Sequence, residues 1–143
     1  VFLTEYQAAA IWNGNMLLNE NGQVFNGDIG LLKGDRVKLY GPEGTSQEVI
    51  AKWRQITPLI NSLGLTVTSL VLNERRAWQI ILDNGIRLEL GKDSLDERVE
   101  RFISLYNELG SKANQVSYID LRYDTGAAVG WFPEQELEES TDD

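Results

Sequence analysis

Apolar and polar positions alternate with a period close to two over three stretches in the middle of the chain, and with a helical period over two longer ones on either side of them. Thr66 to Leu72, Trp78 to Leu82 and Ile86 to Leu90 are β-branched or alternating, with Ile86, Leu88 and Leu90 set inward against Arg87 and Glu89, and Asp83-Asn84-Gly85 suits a hairpin turn between the last two. Before them, Thr45 with Glu48 three positions on is a capping-box pattern. It opens a helix with Val49, Ile50, Trp53, Ile56 and Ile60 on its core face. Pro58 is expected to bend or break that helix within its last turns, and Gly64 to end it. A second capping box, Ser94 with Glu97, opens an amphipathic helix with Leu95, Val99, Phe102, Ile103 and Tyr106 on one stripe and a solvated charged face between them, ending near Gly110.

The flanks read as strands and turns. Val1 to Gln7 alternates roughly and leads into Ala8 to Trp12; Asn13-Gly14 has the tight-turn chemistry that returns the chain through Met16 to Leu18. Asn21-Gly22 and Asn26-Gly27 mark turns around Gln23 to Phe25. Near the end, Val116 to Tyr123 forms a strand in which Ile119, Leu121 and Tyr123 alternate against Asp120 and Arg122; Asp124-Thr125-Gly126 turns it, Ala127 to Phe132 returns, and Pro133 stops it. The pattern predicts an α+β domain: a largely antiparallel β-sheet with two main helices packed on one face. Beyond Pro133, residues 134–143 have too little apolar content to pack and are expected to be disordered.

Composition narrows the chemistry. With 42% hydrophobic residues in 143, one core is easily supplied, yet no apolar run approaches the about 18 residues that cross a bilayer. The chain opens on Val1 with no signal-peptide pattern, which reads as a fragment whose membrane anchor, if any, lies upstream. It has no cysteine and no histidine, so disulfides, thiolates and the commonest general base and zinc ligand are missing; no cofactor or metal is expected. The formal charge of −9 argues against a phosphate-tracking nucleic-acid binder, although six of the acids crowd into the last ten residues and leave a nearly balanced body.

One motif looks catalytic. Asp124-Thr125-Gly126 matches the aspartate motif of aspartic proteases, which pair two such carboxylates. Here it occurs once, follows Arg122-Tyr123 instead of an apolar strand, and leaves six residues before Pro133, so catalysis would require a homodimer and lacks room for a flap. A turn is the simpler role. Ala127 to Phe132 is small-residued and carries no lysine, proline or inward charge, so at a sheet edge it is unguarded and open to β-augmentation; placed centrally, it is an ordinary strand. Arg122, and Arg75-Arg76 ahead of Trp78, offer forked donors to a carboxylate-bearing partner or are plain surface arginines.

The run Tyr118-Ile119-Asp120-Leu121-Arg122-Tyr123-Asp124-Thr125-Gly126-Ala127-Ala128-Val129-Gly130-Trp131 resembles the C-terminal strand pair of the FtsQ family (FtsQ/DivIB). Leu39-Tyr40-Gly41-Pro42-Glu43-Gly44, Arg75-Arg76-Ala77-Trp78 and Ile86-Arg87-Leu88-Glu89-Leu90-Gly91 extend the resemblance, in order, over nearly the whole chain. It implies a single-pass inner-membrane protein with a POTRA domain near the membrane and a β domain in the periplasm at the division septum. Residues 1–6 would then be the last POTRA strand, 7–133 the β domain and 134–143 an acidic tail; the transmembrane helix and most of POTRA are absent. The resemblance implies a non-enzymatic divisome scaffold that binds FtsB, and FtsL through it. Tyr123, Thr125, Gly126 and Trp131 would line the docking strand, and Arg76 and Arg122 would pair with acidic residues of FtsB; Thr125 is serine in some relatives. Another periplasmic binding module of the same fold is the remaining alternative.

Overall fold

The computed structural model describes residues 7–32 and 34–132; the expected strand at residues 1–6, Pro133 and the acidic tail lie outside the described residues. Nine strands form one sheet: β1 (Ala10–Trp12), β2 (Met16–Leu18), β3 (Val24–Phe25), β4 (Val37–Tyr40), β5 (Val67–Leu72), β6 (Trp78–Leu82), β7 (Arg87–Gly91), β8 (Val116–Asp120) and β9 (Ala128–Trp131), in the order β3-β2-β1-β4-β5-β6-β7-β8-β9. Two helices, α1 (Ser46–Asn61) and α2 (Leu95–Leu109), interrupt the strands.

The fold is α+β and mostly antiparallel, as the pattern predicts. The three parallel pairings are β1 with β4, β4 with β5, and β7 with β8. The last two are crossovers made by α1 and α2. β4 and β7 run the same way and both crossovers step toward β9, so crossovers of one hand place both helices on one face. That face is lined by Leu70, Leu72, Ile80, Leu82, Leu88, Leu90, Ile119 and Leu121, which join Val49, Ile50, Ile56, Ile60, Leu95, Val99 and Phe102 in the core.

The turns follow local chemistry. Asn13 and Gly14 take φ of 51° and 81°, giving the β1–β2 hairpin its tight reversal, and the Asn13 side chain exchanges two hydrogen bonds with the Gly41 backbone. Asn73 organises the β5–β6 connection by accepting the Arg75 and Ala77 amides, which leaves Arg76 at φ 69°.

Several local expectations are corrected. Neither capping box forms. The Thr45 hydroxyl donates to the Pro42 carbonyl at 2.6 Å, Ser94 is left-handed with φ 55°, and neither side chain caps its helix. α1 also runs unbroken through Pro58, in its last turn, although the proline has no amide to offer the Arg54 carbonyl; beside it the Thr57 hydroxyl donates to the Trp53 carbonyl. β8 ends at Asp120, so Tyr123 is not an inward strand residue but half exposed.

Candidate partner-binding edge

β9 is the last strand of the sheet and is paired on one side, with β8. The Phe132 amide donates to the Gln115 carbonyl at 2.9 Å, so Phe132 faces β8. Alternation then turns the N–H and C=O of Gly130 and Ala128 toward β8 and those of Val129 and Trp131 outward, without a ladder partner among the described residues. A bulge in β8 between Val116 and Tyr118 absorbs the register shift.

Most of the expected site residues cluster here. Arg122, Tyr123, Thr125 and Gly126 occupy the exposed connection from β8 to β9, with Gly126 at φ 75°, and Trp131 closes β9 at 46% exposure. Arg76 stands apart, in the β5–β6 connection, about 14 Å away by strand spacing, though the registers place it at the same end of the sheet.

Both arginines already have partners within the chain. Arg122 donates through Nε and Nη2 to Asp120 at 2.9 and 2.7 Å, while its side chain stays 59% exposed. The Arg122 hydrogen bonds hold the Asp120 carboxyl below the usual carboxylate range against the opposing pull of burial, and the same pair raises the Arg122 pKa further. Arg76 pairs with Glu48 in the first turn of α1. That contact tethers the β5–β6 connection to the helix.

The expectation that the α2 charges are simply solvated is also corrected. Arg98 is 8% exposed; it donates to the Leu90 carbonyl at 2.5 Å and reaches the Arg122 carbonyl at 3.4 Å. Arg101 donates to the carbonyls of Tyr123 and Gly126 at 3.0 Å and of Asp124 at 2.9 Å. A signal for Arg98 was present: it lies three positions after Leu95 and four before Phe102, on the apolar stripe itself. Gly91 makes room for it, since a Cβ there would lie 2.7 Å from Arg98 Nη1 and 3.2 Å from Arg122 Cγ.

Gly130 is likewise not open space for an incoming strand. The Tyr118 ring lies across it from β8, and the Arg87 guanidinium sits 5.2 Å from the ring centroid, while Arg87 and Gln79 both bond Glu89. Asp124-Thr125-Gly126 forms part of the β8–β9 connection, and no group of three or more acidic side chains suited to a metal occurs among the described residues. Nor is any helix among them long and apolar enough to cross a membrane.

Residues 10–122 match the family model described as cell division protein FtsQ/DivIB, C-terminal. Among similar proteins, the cell division protein FtsQ of Vibrio cholerae is 66% identical over 143 residues, covering all of this chain and 55% of the relative. FtsQ of Aliivibrio fischeri is 51% identical, covering 92% of this chain and 51% of the relative. FtsQ of Escherichia coli is 36% identical, covering 93% and 50%. The chain thus spans about half the length of the curated relatives it matches.

Proposed function

Because the chain belongs to the FtsQ/DivIB family of cell-division proteins, we propose that it is the periplasmic part of an inner-membrane divisome scaffold, without enzymatic activity, that captures FtsB by adding an FtsB strand to β9. FtsL joins through FtsB, and the complex links early and late division proteins. The observation that carries this reading is the open edge: outward amide and carbonyl groups on Val129 and Trp131, with exposed aromatic rings at Tyr123 and Trp131 on either side. Main-chain bonds supply affinity in such an interface and the flanking rings supply anchors.

In this reading residues 1–6 end a POTRA domain, 7–133 form the β domain, and 134–143 are a solubilising tail. Thr125 and Gly126 shape the entry to the docking strand. Arg122 spends Nε and Nη2 on Asp120 but remains largely exposed, so it keeps donors for a carboxylate of FtsB; Arg76 uses Nη2 on Glu48 and is in the same position.

The test is titration of this chain with the periplasmic C-terminal segment of FtsB. We expect saturable binding by the wild type and a loss of about 2 kcal/mol or more in Tyr123→Ala, with its melting transition retained. No binding by the wild type, or equal binding by a folded Tyr123→Ala, would overturn the assignment.

A further inference from the structure

Between Arg122 and Gly126 no backbone-to-backbone hydrogen bond closes the turn among the described residues. Its shape is held from outside. Arg101 on α2 aims one guanidinium at three of its carbonyls, Tyr123, Asp124 and Gly126, all within 3.0 Å. One turn earlier on the helix, Arg98 supports the Arg122 carbonyl from the buried side. Three carbonyl dipoles converging on one point repel each other unless a cation sits among them, and the planar fork of arginine meets several acceptors at fixed angles as a lysine ammonium does not.

We propose that Arg101 is a positioning residue for strand addition: it fixes the 123–126 backbone so that β9 leaves the turn already extended and ready to pair. The inference rests on the strand-addition reading above. Arg101 lies on α2 and points to the turn, so its removal leaves every atom of the β9 edge chemically unchanged. What changes is the order of the edge before the partner arrives. An edge that must be ordered on binding pays that entropy out of affinity, whereas a preformed edge does not.

The experiment compares wild type, Arg101→Lys and Arg101→Gln in titration with the same FtsB segment, and measures amide hydrogen exchange of each variant without partner. We expect Arg101→Gln to bind about tenfold more weakly or worse, with Arg101→Lys intermediate because one ammonium satisfies part of the carbonyl cluster. In the free protein, exchange should quicken at residues 123–131 and stay as it was in β5 to β7. Wild-type affinity in Arg101→Gln overturns the proposal and leaves the strand-addition reading standing. Faster exchange in every strand overturns it too, since that marks a general stability loss. Absence of binding by the wild type instead removes the reading beneath it.

Discussion

At Gly130 a methyl group on the backbone would sit 2.0 Å from Cε2 of Tyr118, nearer than any carbon contact permits. Glycine is kept there by a neighbour's ring and not by backbone conformation, in contrast to Gly126, where φ is 75° and a Cβ would meet nothing within 4 Å. Gly130→Ala should therefore cost about 1–3 kcal/mol of unfolding free energy in urea, because the ring must leave its seat under Arg87. Tyr118→Ala removes the obstacle, so the double variant should lose little beyond Tyr118→Ala alone; an equal further loss would refute the steric account. None of this could be read from the sequence, where Gly130 and Tyr118 are twelve positions apart and the small residues of this strand read only as an unguarded edge. The inward set Ile86, Leu88 and Leu90, by contrast, was legible because strict alternation beside charged residues leaves one arrangement that buries the apolar side.

Among elements, β9 illustrates what edge position adds to strand identity. Its existence was legible from the turn before it and the apolar run within it; its place at the end of the sheet depends on nine strands finding an order, which local pattern does not encode. The helices show the reverse balance. Their apolar stripes were plain and Thr45 and Ser94 do stand at the N-caps, but the capping hydrogen bonds do not form: the Thr45 hydroxyl donates to the Pro42 carbonyl, Glu48 pairs with Arg76, and Ser94 is left-handed. The alternation along β9 yields a test in which two prolines one residue apart should behave oppositely. The Val129 amide faces outward, so Val129→Pro should melt near the wild-type temperature yet lose strand-adding partner binding in titration. Gly130→Pro removes an amide that faces β8 and also drives ring carbons into Tyr118, so it should melt clearly lower. If Val129→Pro keeps wild-type affinity, the partner does not pair along this edge.

For the molecule as a whole, acid is a sensitive probe of how the β8–β9 end is joined to the rest. Asp120 is buried, bonded chiefly by Arg122 and also within the field of Arg98, and its folded pKa is lowered. A lowered folded pKa means the pairing contributes its full stability above the unfolded carboxylate value and loses it as pH falls toward the folded one. The melting-temperature gap between wild type and Asp120→Asn should thus be constant from about pH 8 to 5 and shrink below about pH 4. A gap unchanged at pH 3 would show that the charge on Asp120 contributes nothing. The sequence gives no hint of this, since Asp120 reads there as one more outward strand charge. Among the described residues the two ends of the sheet are also unequal: β3 offers two residues, β9 four, of which Val129 and Trp131 turn their amides outward. A strand docked on β9 takes up the outward groups of Val129 and Trp131, so occupancy by a partner and edge-to-edge pairing with a second copy of this chain compete for the same two residues, and whichever arrives first excludes the other.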